Sequence, residues 1–171
     1  MAGSEKMGVS AARADLFLNA ACVVTPSKNS ANDRVEETEA LWRDVGGRVI
    51  RLDPETHDLL VSRSSHLPHV LAAQLAIFVL DQTNPPDQAK LCANGFRDST
   101  RIAAGSPEMW RDIVVMNRKH VLDAVKHFGA GLEAFRARLE QNDPEALEEF
   151  FKRAKELRDE WTGRCASSSP E

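Results

Sequence analysis

Two short segments carry side chains that could do chemistry. In Ser65-His66-Leu67-Pro68-His69 the two imidazoles stand at i and i+3, the spacing that puts them on one face of a helix. Ser62 and Ala73 extend that face with small side chains, which leaves room for a ligand against a neighbouring element. In Gly95-Phe96-Arg97-Asp98-Ser99-Thr100-Arg101 the guanidiniums of Arg97 and Arg101 are four residues apart and converge on a helical turn, with Asp98 placed to orient one of them. Paired guanidiniums hold a carboxylate through bidentate hydrogen bonds, so this segment points to an anionic ligand. Each segment also has a plainer reading. The histidines could bond core carbonyls around a proline bend, and Arg-Asp-Arg is equally the pattern of a surface ion-pair cluster.

Other chemistries are poorly supplied. A metal site would need a third and fourth ligand beside His66 and His69, and no spacing provides them, so no metal is expected. The chain has no tyrosine, which leaves proton transfer mainly to its five histidines. His120 and His127 receive no role, and His57-Asp58 is expected to cap a helix. Gly129-Ala130-Gly131-Leu132-Glu133-Ala134 matches Gly-x-Gly-x-x-Ala but lies inside a helical pattern. A dinucleotide loop must instead follow a strand and open a helix, so these glycines are expected to permit close helix approach.

The elements that position these groups fall into two parts. Ala20–Thr25 and Arg48–Leu52 are short β-branched runs, and Asp33–Asp44 between them repeats its apolar residues at helical spacing. Asn32 or Asp33 is expected to cap that helix and Gly46-Gly47 to end it, in a crossover suited to a parallel strand pair. A helix is also expected over Ser10–Leu18. Beyond Asp53 the strands stop. A helical pattern runs from Glu55 to Asp81, with Pro68 expected to bend or split it. Short turns follow at Gln88–Ala93 and Asp98–Ala103. Ser106 and Pro107 then open one long helix reaching Asn142, roughly 35 residues.

Its apolar columns, Val114, Val121, Phe128 and Phe135 beside Val125, Leu132 and Leu139, suit packing against other helices and predict a helical homodimer. A last helix runs from Pro144 through Trp161. The fold class is therefore mainly α, an all-helical domain over 54–162 after a strand-helix-strand remnant of an α/β domain over 1–53. Residues 163–171 are expected to form a disordered tail.

Composition narrows the partners. The chain of 171 residues has 22 basic and 26 acidic side chains and a net charge of −4, which gives no electrostatic reason to bind nucleic acid. The apolar run Val70–Leu80 is far shorter than the ~20 residues of a membrane span. Three widely spaced cysteines and no leader predict a cytoplasmic protein.

Taken together, Ala2-Gly3-Ser4-Glu5, Ser65–His69, Gly95–Ala103 and Pro107-Glu108-Met109-Trp110-Arg111-Asp112-Ile113 closely resemble the prephenate dehydrogenase family, in this order and spacing, over the chain to about Trp161. The resemblance implies a dinucleotide-binding α/β domain followed by a helical domain that dimerises. It implies oxidative decarboxylation of prephenate or arogenate with NAD or NADP as hydride acceptor, and His69 inclines toward prephenate. By the same resemblance Arg101 binds a substrate carboxylate, His66 and His69 line the substrate cleft, and Arg97 and Trp110 support its wall. Glu5 and Asp98 join an ionic network at its mouth. In that family a His-Pro precedes the Ala-Gly-Ser-Glu segment and a glycine-rich loop lies far upstream, and neither is in this sequence. The expectation is a partial chain, inactive alone. The alternative is a non-catalytic helical homodimer that binds an aromatic acid such as tyrosine.

Overall fold

The computed structural model describes residue 9 and residues 12–81, 83–85 and 87–167, the last three without their side chains. Glu5, with the rest of its motif, lies outside the described residues. The chain divides into two compact units between Ala124 and Val125.

The first unit opens with a small α/β layer. Strand β1 (Ala21–Val24), helix α1 (Asn32–Asp44) and strand β2 (Arg48–Arg51) form a right-sized crossover, and the strands pair in parallel with Ala21 opposite Arg48 and Val24 opposite Arg51. Gly46 takes φ +82°, which an L side chain adopts only under strain, and a Cβ on Gly47 would stand 2.8 Å from the Trp42 carbonyl oxygen. The glycine pair therefore ends α1 as its composition demands. Ala31 occupies the cap position and makes no side-chain cap bond, so neither Asn32 nor Asp33 caps the helix. Instead Glu39, 5% exposed, ties α1 to the sheet by receiving hydrogen bonds from Arg43 at 2.9 Å and from Arg51 of β2 at 2.5 Å.

Residues 14–19 form turns and not the expected helix. Their hydrogen bonds reach three residues back, as from Leu16 N–H to the Arg13 carbonyl. The reason is tertiary. Asn19 N–H donates to the Gly46 carbonyl at 2.8 Å, Leu18 packs over Gly46, and Phe17 meets Trp42 edge to face at 5.3 Å.

Helix α2 (Pro54–Val61) starts at Asp53, whose carboxylate accepts from Thr56 N–H, so Asp53 and not His57-Asp58 is the cap. A π turn, Ser62–His66, separates α2 from α3 (Leu67–Leu80). Its wide register suits the sequence. Pro68 has no N–H to bond the fourth residue back, and Leu67 N–H donates to the Ser62 carbonyl five residues back. Ser62 is fully buried and donates to the Leu59 carbonyl at 2.7 Å. A 3₁₀ turn (Ala89–Leu91), α4 (Asn94–Thr100) and a second 3₁₀ turn (Arg101–Ala104) lead to α5 (Pro107–Met116). Ser106 accepts from Met109 N–H, the cap that its place before Pro107 predicts.

The expected single long helix breaks at Asn117. Helix α5 ends at Met116 and α6 (Arg118–Glu140) follows, because Asn117 adopts φ −102°, ψ 31° and turns its amide inward. In the second unit the Phe135 ring of α6 packs against Phe150 and Phe151 of α7 (Pro144–Ser167), with centroids at 4.9 and 6.1 Å. Asp143 caps α7 through Ala146 N–H, and the helix continues past Gly163 to Ser167. Gly129 and Gly131 lie in α6 and face open space.

Candidate functional site

Helix α3, the second 3₁₀ turn and α5 enclose a cavity of about 510 Å³. His69, Val70, Ala73 and Gln74 come from α3, Ile102 and Ala103 from the turn, Gly105 from the following bend, and Pro107, Trp110, Arg111 and Val114 from α5. The walls are mostly apolar with a few polar groups, the character of a small-molecule site.

Trp110 organises it. Its indole stacks on His69 with ring centroids 3.5 Å apart and planes 27° from parallel, and its edge meets His66 at 6.3 Å and 76°. Such aromatic contacts contribute about 0.5–1.5 kcal/mol beyond area burial. The close approach depends on Gly105, since a Cβ there would meet Trp110 Nε1 at 2.6 Å. His69 Nδ1 lies 2.9 Å from the Ser65 carbonyl oxygen, which can only accept, so in the neutral ring Nδ1 donates and Nε2 is an acceptor. Burial pulls the His66 imidazolium below the ordinary histidine range. His57 and His69 act in the same direction and Asp58 opposes them. His57 Nδ1 itself lies 2.9 Å from the Asp58 carboxylate.

The structure thus brings His66, His69 and Trp110 together. Arg101 is exposed at the start of the 3₁₀ turn whose next two residues line the cavity. Arg97 and Asp98 are exposed on α4, and neither they nor Arg101 are among the lining residues, while of the two histidines His69 lines the cavity and His66 lies behind it against the Trp110 edge and Asn117. Arg111, which spacing did not single out, is the guanidinium in the cavity wall, with its Nε donating to Asp112 at 2.8 Å. Its place one residue after Trp110 on a short helix was the available signal. Among the described residues, no group of three or more His, Cys, Asp or Glu is placed to hold a metal ion. No helix among them is long and apolar enough to cross a membrane.

The described residues thus form a parallel strand-helix-strand crossover followed by helices that wall an apolar cavity. Residues 1–51 match the model of the prephenate dehydrogenase nucleotide-binding domain, and residues 53–153 match that of the prephenate dehydrogenase dimerization domain. The chain belongs to the prephenate dehydrogenase family. It is similar to the prephenate dehydrogenase of Bacillus subtilis, 39% identical over 93% of this chain and 43% of that protein. It is 32% identical to the cyclohexadienyl dehydrogenase of Zymomonas mobilis over 92% of this chain and 55% of that protein. Among solved structures, prephenate dehydrogenase from A. aeolicus in complex with hydroxyphenyl propionate and NAD+ superposes with a TM-score of 0.85 at 34% identity, covering 92% of this chain and 56% of that one. The chain therefore spans about half the length of these relatives.

Among the described residues, no glycine-rich turn follows a strand and opens a helix as a dinucleotide cradle would. Gly46-Gly47 closes α1 where a cradle would open a helix, and Gly129 to Ala134 lie within α6.

Proposed function

We propose that this chain supplies the substrate wall and the dimer-forming helices of an NAD- or NADP-dependent prephenate dehydrogenase, which converts prephenate to 4-hydroxyphenylpyruvate and carbon dioxide while a hydride passes to the nicotinamide. The observation that carries the reading is the Trp110–His69 stack on the wall of a 510 Å³ cavity in a chain of this family. A flat indole face suits a six-membered ring. The bare Nε2 of His69 can accept from a hydroxyl, and Arg101 at the rim is the reading's anchor for a carboxylate. Arg97 and Asp98 support that rim, with Glu5 as the further member of its ionic network.

A homodimer is supported by apolar surface that a solvated protomer would not leave bare. Phe78 of α3 is 71% exposed and Met116 at the end of α5 is 88% exposed, while Leu132 and Leu139 line α6. Arogenate is the competing substrate, and the side chain that favours prephenate in this reading is His69. The compartment proposed is the cytoplasm.

Titrating prephenate, arogenate and tyrosine into the protein while following tryptophan fluorescence tests the reading. Prephenate should quench saturably, and Trp110→Phe should lose most of that response. Tight tyrosine binding with no prephenate response would favour a sensor of aromatic acids instead. Joined to a dinucleotide-binding half, the chain should support nicotinamide reduction by prephenate, and none in a folded, prephenate-binding protein would sink the catalytic part.

A further inference from the structure

Asn117, at the break between α5 and α6, is 7% exposed, and its backbone still serves both helices: its N–H donates to Ile113 and its carbonyl accepts from Val121. Its carboxamide nitrogen lies 2.7 Å from the Asp58 carbonyl oxygen and 3.3 Å from His66 Nδ1. A backbone carbonyl only accepts, so the amide nitrogen must face Asp58, since the flipped amide would set two oxygens 2.7 Å apart. That nitrogen has two hydrogens and accepts nothing. Its second hydrogen therefore meets His66 Nδ1, which must accept, and the ring hydrogen of neutral His66 sits on Nε2. His69 is held the other way, with Nδ1–H toward Ser65 and Nε2 bare.

We propose that Asn117 is a positioning residue that fixes His66 as the Nε2–H tautomer, so that the two imidazoles beside Trp110 offer a hydrogen-bond donor at His66 and an acceptor at His69. Such a pair fits a ligand that carries both an acceptor oxygen and a hydroxyl. The use of the pair on a ligand rests on the proposed substrate wall, whereas the tautomer assignment does not. The groups facing His66 are His57 and Asp58 from α2, His69 from α3, Trp110 from α5 and Asn117 itself. Protonating Nδ1 would turn an N–H against the Asn117 amide, which acts with burial to keep the ring neutral.

Ring-nitrogen NMR of the full chain with labelled histidine reads this directly. The expected spectrum has His66 protonated at Nε2 with an acceptor-type Nδ1, and His69 reversed. Asn117→Ala should shift the His66 tautomer ratio by about fivefold, the effect of one hydrogen bond of ~1 kcal/mol, and raise its titration midpoint while His69 keeps its signature. Finding Nδ1–H on His66 in the unaltered protein overturns the proposal, whether or not the variant folds. A folded Asn117→Ala with an unchanged His66 spectrum overturns it too. If both tautomers are as stated but prephenate moves neither Nε2 signal, the substrate reading fails and the positioning role of Asn117 stands.

Discussion

Gly105 and Trp110 approach so closely that no side chain fits between them: a Cβ at Gly105 would lie 2.6 Å from the indole Nε1 and 3.0 Å from Cδ1. Gly105 has ordinary extended backbone, so the constraint is steric alone. Gly105→Ala should push the indole off the His69 ring and cost about 1–3 kcal/mol of overpacking. The expected readout is an altered Trp110 emission and weaker prephenate binding in a protein that still melts cooperatively. Unchanged affinity would separate the stack from ligand binding.

The two candidate guanidiniums make an ordered prediction. Arg101 has the carboxylate role in the proposed function, and Arg111 lines the cavity with its Nε donating to Asp112. Losing a charge-assisted hydrogen bond costs about 1.5–3 kcal/mol, so Arg101→Ala should raise the prephenate Kd roughly 10- to 100-fold. Arg111→Ala should cost less. The reverse order in calorimetric titrations would move the anchor to Arg111.

Helix α5 carries Trp110, and its entry depends on Ser106, whose hydroxyl accepts from Met109 N–H at 3.3 Å. Ser106→Ala should lower stability by about 1 kcal/mol, the usual loss of an N-cap. Ser106→Asp should retain most of it. Chemical denaturation with a common slope checks both.

Acid should destabilise the protein in two stages. His66 takes up its proton less readily when folded than when unfolded. The unfolded chain therefore binds more protons as pH falls through the ordinary histidine range near ~6.5, and stability drops there. Glu39 is shifted in the same direction, its carboxyl held down first by Arg51 and also by Arg43 against the effect of burial. Its contribution is complete above the ordinary carboxylate range and is lost as pH falls toward its lowered folded value. Melting temperatures across pH should show the upper stage vanish in His66→Phe and the lower one shrink in Glu39→Gln.

Local chemistry made much of this fold readable. The β1–α1–β2 crossover, the left-handed Gly46, the Ser106-Pro107 start and the disruption at Pro68 all follow from residue types at marked positions. Where a distant partner decides, sequence periodicity was blind. Val114 and Val121 keep their sevenfold spacing straight across the break at Asn117, because the break is made by a hydrogen bond to Asp58, far off in the chain. Residues 14–19 have helical composition but are drawn into turns by Gly46. The site divides in the same way. His66 and His69 share a face by spacing, but that Trp110 stacks on one and meets the other at right angles, and that Arg111 enters the wall, depends on how α5 lies on α3.

The five residues Ser62–His66 hold one more residue than an α-helical path would need over the same rise. They act as a vernier for everything that follows. Dropping a single serine there would let the backbone relax to ordinary helix over the same rise and leave α3 in phase, whereas dropping a second residue would turn α3 by about 100° and take the imidazole of His69 off the indole face. A protein shortened there by one residue would keep its grip, and one shortened by two would keep its helices and lose it.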